Sequence, residues 1–191
     1  MKKLAAILLS LIFLLIACTK SSTKVSLDQL PGDYNLGDAK ADNCVVFENN
    51  DITYGQPVWD DFISATENGK STTVRLAYYY TLDDPSHYSK EYYEEIKDDY
   101  PAIYLKDLSF DGKKYFIESF EDGQPISKEY RYLLKYEGKP SSPTASFSKY
   151  TYYVLVNDNT VTWEDIEHGM ISSQSGDWID HSVVYYDLKF K

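Results

Sequence analysis

The sequence predicts an α+β fold: a mostly antiparallel β-sheet of six or more strands with two or three helices packed on one face. Three observations lead there. Segments rich in β-branched and aromatic residues recur along the chain, and 19 of its 191 residues are tyrosine, a residue that favours strands and tolerates a half-wet surface. Short turn signals join most of these segments, which suits antiparallel neighbours. Strict strand–helix–strand alternation is absent, so a doubly wound parallel sheet is set aside.

Taken in order, the first strand covers Cys44 to Phe47. Pro57 suits the first turn of a helix, where its missing N–H costs nothing. Val58, Trp59, Phe62 and Ile63 form one apolar stripe of that helix. Asn68-Gly69 ends it with residues that tolerate a left-handed backbone. Thr72 to Thr81 reads as a strand with Val74, Leu76, Tyr78 and Tyr80 on one face. Asp83-Asp84-Pro85-Ser86 breaks it. Ser86 or Ser89 then caps a helix over Lys90 to Lys97, which ends before Tyr100-Pro101.

Three strands follow, Ile103 to Phe110, Tyr115 to Phe120 and Glu129 to Tyr136. Asp111-Gly112 is a two-residue hairpin signal between the first two. Asp122-Gly123, with Pro125 just beyond, makes a longer turn before the third. Beyond the loop Gly138 to Pro143, Tyr150 to Val156 is the strongest strand of the chain, and Asn157-Asp158-Asn159 ends it. Thr162 and Asp165 have capping-box spacing for a helix from Trp163 to about Ile171. Trp178 to Phe190 is the last strand.

The amino terminus is of another kind. Lys2 and Lys3 precede an apolar run, Leu4 to Ile16, which is followed by Ala17 and Cys18. A basic start, a short apolar segment and a small residue at the cut describe a secretory signal. The run falls short of the roughly 20 apolar residues a transmembrane helix needs. With cysteine after the cut, Leu15-Ile16-Ala17-Cys18 resembles a bacterial lipobox. That resemblance implies removal of residues 1–17 and diacylation of Cys18 as the new N-terminus, two chains being enough for a stable anchor. Residues 18–31 are then a lipidated N-terminus and flexible tether. Residues 32–191 are a single domain on the extracytoplasmic face of a cell membrane.

Removing the signal leaves 17 basic against 30 acidic residues, a formal charge of −13 where the full chain has −11. Nucleic acid is excluded as a partner, because phosphate binding needs clustered Lys and Arg. With Cys18 lipidated, Cys44 stands alone, so neither an intrachain disulfide nor a cysteine-based zinc site can form. Its apolar surroundings in sequence predict a buried, inert thiol.

No nucleophile elbow, phosphate loop, zincin helix or dinucleotide fingerprint occurs, and no cofactor is implied. Two constellations remain. Glu164 and His168 are four apart and share a helix face. With His181 and Asp180 in the last strand they could ligate zinc or run acid–base chemistry. The plainer reading is an exposed Glu–His pair and a surface histidine. Trp178, beside the loop Ser172 to Gly176, is the candidate exposed aromatic, and with Tyr152 or Tyr185 it would form a sugar- or peptide-binding platform. The plainer reading there is a ring that closes the end of the core.

Ala41-x-Asn43-x-Val45-Val46, Phe62-Ile63, Glu67-Asn68-Gly69-Lys70, Val74-Arg75-Leu76 and Leu108-Ser109-Phe110-Asp111-Gly112-Lys113 follow one another in order. Over about residues 39–120 this succession resembles a family of small lipoproteins of Gram-positive bacteria built on a domain of unknown function. The resemblance implies the compartment and a single small domain; no activity comes with it. The expectation is a membrane-anchored surface lipoprotein that binds an envelope protein, peptide or glycan without catalysis. The alternatives are an envelope metal binder or hydrolase using Glu164, His168 and His181, and an accessory subunit or inhibitor of another envelope protein.

Overall fold

The structure, a computed structural model, describes residues 24–121 and 123–191. The signal segment and Cys18 lie outside the described residues. Local chemistry places the first elements. Asn35 caps α1 (Leu36–Ala41): its side chain accepts from the N–H groups of Gly37 and Asp38, and Asp38 accepts the Asn35 N–H at 3.0 Å. β1 (Val45–Glu48) and β2 (Asp51–Tyr54) form a hairpin turned by Asn49 and Asn50, with φ of 48° and 75°. Asparagine tolerates that left-handed conformation better than most residues. The Asn49 side chain also accepts from Thr81 N–H at 2.9 Å and donates to Thr81 Oγ1 at 2.7 Å, tying the turn to Thr81. Neither α1 nor β2 is anticipated by the sequence. Each is only a few residues long, and Asn and Asp rather than Gly and Pro carry its turn chemistry.

The remaining elements are α2 (Gln56–Glu67), β3 (Thr72–Tyr80), α3 (Lys90–Ile96), β4 (Ala102–Phe110), β5 (Tyr115–Glu121), β6 (Gln124–Tyr130), β7 (Tyr132–Gly138), β8 (Phe147–Val156), α4 (Trp163–Ile171) and β9 (His181–Phe190). The caps foreseen at Ser89 and Thr162 are present, and the Thr162/Asp165 capping box is complete. The Asp111-Gly112 turn is a four-residue loop, Asp111 to Lys114, because the Asp111 carboxylate accepts the N–H groups of both Lys113 and Lys114.

The α+β class holds, with strands mostly antiparallel, but they form two sheets. Six strands lie in the order β2-β1-β3-β4-β5-β6, and β7-β8-β9 make a second sheet. The one parallel pairing in these sheets is β1 with β3, bridged by β2 and α2. The expected single strand Glu129 to Tyr136 is divided at Arg131, where the chain leaves the first sheet for the second. Tyr130, fully buried, ends β6, and the Arg131 N–H turns to Asn157 Oδ1 at 3.2 Å. Trp178 precedes the last strand, which begins only at His181.

Strand alternation distributes the cores. Val45 and Phe47 of β1, with Val74, Leu76 and Tyr78 of β3, face the second sheet and Trp59 and Phe62 of α2. Val46 and Ala77, on the opposite face, pack with Cys44 under Ala39 of α1. Ile166 of α4 covers Val154 and Val156 on the outer face of the second sheet. The helices therefore do not share one face, as the sequence had suggested. β1 and β3 are apolar in both directions, so both sides of the central sheet need cover. α3 buries no residue.

One glycine is obligatory. Gly55 caps α2 at φ 84°, and a Cβ there would overlap the Cys44 carbonyl oxygen. Left-handed strain and a backbone clash combine at this position. Gly55→Ala is expected to lower stability by more than about 2 kcal/mol, read as a fall in the urea midpoint without a change in slope.

Candidate ligand cleft

The ladder between β4 and β5 stops short. It runs from the pair Phe110–Tyr115 to the pair Lys106–Ser119. β4 continues back through Leu105 to Ala102, paired only with β3. β5 continues to Glu121, paired with Gln124 of β6. The sheet parts between them, and a cleft of about 1040 Å³ opens there.

Its walls come from both faces of the sheet, because successive residues of a strand point to opposite sides. Tyr104 lies opposite Tyr78, and Lys106 opposite Leu76, so these line the side that carries the central core. Tyr80 and Tyr186 complete that side. Ile103 and Leu105 point the other way, towards Tyr34 and the N-terminal segment. Five tyrosines line the cleft in all. Tyr104 and Phe120 stand 58% and 41% exposed at its rim. Lys106 extends over the Tyr78 ring, its Nζ 5.6 Å from the centroid. Burial lowers the pKa of Lys106 against the pull of Glu121, and no described carboxylate forms an ion pair with it. Burial raises Tyr78, and burial together with Tyr80 raises Tyr186, so both remain neutral phenols.

The N-terminal segment is part of this site. A 3-10 turn over Leu27–Gln29 lies beside the cleft, and Leu27, Leu30 and Pro31 line it. The segment is clamped to the sheet by Arg75, only 3% exposed. Arg75 holds Asp107 through two hydrogen bonds, 2.8 Å from Nε and 2.7 Å from Nη2, and donates to the Val25 carbonyl at 2.7 Å. Lys24 joins Asp107 at 2.7 Å. Within the stretch up to residue 31 that the sequence suggested as a flexible tether, Lys24 and Val25 are thus held on the sheet. The buried charge of Arg75 needs acceptors, and the Val25 carbonyl is one of them.

The residues singled out from the sequence lie elsewhere. Glu164 and His168 are exposed on α4, and His181 turns its Nδ1 to the Ile179 carbonyl at 2.8 Å. Among the described residues, no three His, Cys, Asp or Glu side chains gather closely enough to hold a metal ion. The aromatic platform is not assembled either. Tyr185, 5% exposed, stacks on Trp59 at 4.7 Å and donates to Gln56 Oε1. Tyr152 packs at a tilt against Trp163, 4.4 Å between centroids, on the other side of the second sheet, since it is Tyr153 that meets Trp59. Trp178 is 57% exposed and, among the described aromatic rings, touches only His181, at 5.3 Å. Cys44 is buried, and burial raises its pKa despite a contact with the Tyr34 hydroxyl at 3.7 Å. The cleft residues had one sequence signal, a lysine closing the otherwise apolar run Ile103-Tyr104-Leu105.

No protein-family model, curated protein or solved structure matches the chain.

The clamp makes a pH-dependent contribution. Burial works to raise the pKa of Asp107, but the hydrogen bonds from Arg75 and Lys24 outweigh it and hold the carboxyl below its ordinary value. An acid depressed in the folded state stabilises it above its unfolded pKa, about 3.9, and that stability is lost as pH falls through the folded value. Asp107→Asn leaves Arg75 buried without its counter-charge and is expected to cost about 3 kcal/mol at pH 7. In urea titrations from pH 7 to pH 2 the gap between wild type and variant should close below about pH 4.

Proposed function

We propose that the mature chain is an extracytoplasmic binding domain, held to a cell membrane by lipid on Cys18, that takes a protein or peptide segment in the cleft between β4 and β5. The cleft is the observation that carries this reading. It combines large aromatic rings, which supply contact area at low entropic cost, with strand backbone left without a partner. Its volume is at the upper end of ordinary ligand sites. The apolar run before Cys18 and the strongly acidic composition support an exported, surface-held protein without nucleic-acid partners. The glycan reading keeps the tyrosines but gives no role to the open strand edge. The metal or hydrolase reading has no assembled donor set among the described residues.

Two experiments test this. Cys18→Ala should move the protein from the membrane fraction to the medium; a variant that still sediments with membranes ends the anchored reading. Peptide and glycan arrays probed with the lipid-free Cys18→Ala protein should return peptides. Tyr104→Ala should weaken that signal roughly tenfold, the scale of one good aromatic contact, and Trp178→Ala should leave it unchanged. Binding confined to glycans, or lost at Trp178 and not at Tyr104, overturns the assignment.

A further inference from the structure

We propose that the cleft is a strand-addition site, in which an extended peptide pairs with the free edge of β4 at Ala102–Leu105 and sets an acidic side chain against Lys106. This rests on the cleft being a peptide site and specifies how the peptide is held.

The argument starts from backbone accounting. In a strand flanked by an antiparallel partner, alternate residues turn both N–H and C=O to the same side. β3 satisfies one side of Ala102–Leu105. On the other side the β5 ladder has already ended at Lys106. Two residues of this stretch therefore direct donor and acceptor into the gap, over a length of about 13 Å. Proteins usually blunt such an edge with charge, proline or a covering element. Here the four residues are Ala, Ile, Tyr and Leu, Pro101 bounds the stretch at one end, and the 3-10 turn Leu27–Gln29 packs beside β4 and β5 without pairing its backbone to them.

A peptide added at this edge would present its side chains alternately to the two faces of the sheet. The cleft is lined on both faces, which a ligand lying on one surface would not require. One set of side chains meets Tyr78, Tyr104 and Lys106. The other meets Leu105, Tyr34 and Leu27.

Charge selects the peptide. In a chain of formal charge −11, Lys106 is half-buried over an aromatic ring with no described carboxylate paired to it. An aspartate or glutamate of the ligand supplies that partner in a partly dry setting, where a charge-assisted hydrogen bond is worth most.

Selection of random octapeptides displayed on phage against the Cys18→Ala protein tests the mode. The expected result is enriched sequences that alternate and carry one acidic position. Replacing that acid by lysine in a synthetic copy should weaken binding at least about tenfold. Lys106→Glu should reverse the preference towards a basic residue, with thermal melting confirming that the variant is folded. N-methylation of single peptide amides, read on the wild-type protein, should abolish binding at alternate positions only. Amide exchange within Ile103–Leu105 should slow on binding. Peptides that depend on Tyr104 but ignore N-methylation and the Lys106 swap overturn strand addition and leave the cleft as a site of another kind. Enrichment that ignores Tyr104 as well, or no enrichment, overturns both.

Discussion

Two sheets of unequal size meet through aromatic rings, and the rest of the molecule depends on that seam. Phe47 stacks on Tyr78 at 5.1 Å within the six-stranded sheet, and Trp59 of α2 stacks on Tyr185 of β9 at 4.7 Å. Tyr78 crosses the junction to donate to the Val184 carbonyl at 2.8 Å, so a buried hydroxyl is satisfied by the opposing sheet. Each such ring pair adds about 0.5–1.5 kcal/mol beyond the area it buries. The only cysteine among the described residues, Cys44, is buried and unpaired, so no covalent staple shares the load. A bulge in β9 opposite Tyr153 and Val154 lets the consecutive residues Val184 and Tyr185 both enter the core.

The regular elements were the legible part of the sequence. α2 announces itself through Pro57 and its apolar stripe, β3 through its β-branched and aromatic run, and α4 through the Thr162/Asp165 box. These signals are local, and their physics is local too. α1 and β2 escaped because each is only a few residues long, too short to show an apolar period of its own. The break at Arg131 escaped for a different reason. Nothing in Glu129 to Tyr136 marks a boundary, and only the seating of Tyr130 in the core and of Arg131 against Asn157 creates one.

Beyond the lysine that closes Ile103-Tyr104-Leu105, nothing of the cleft is written in one dimension. It exists because a ladder ends at Lys106 and Ser119 while both strands go on, and register over that distance is decided by packing. The aromatic candidates failed on alternation: Tyr152 and Tyr153 are neighbours in sequence and lie on opposite sides of a sheet. Tyrosine abundance pointed to strands correctly and to a platform wrongly, because most of the rings near Trp59 and Trp163 serve as core.

The docking of Lys24 and Val25 onto Arg75 and Asp107 also sets a leash length. Between Cys18 and Lys24 there are six residue steps, at most about 20 Å of chain. Were Cys18 lipidated as proposed, that short stretch would keep the Arg75 face close to the bilayer. The N-terminal wall of the cleft belongs to that face. A partner would then be met at the membrane, as a neighbour in it or a chain lying on it, and encounter would be a search in two dimensions.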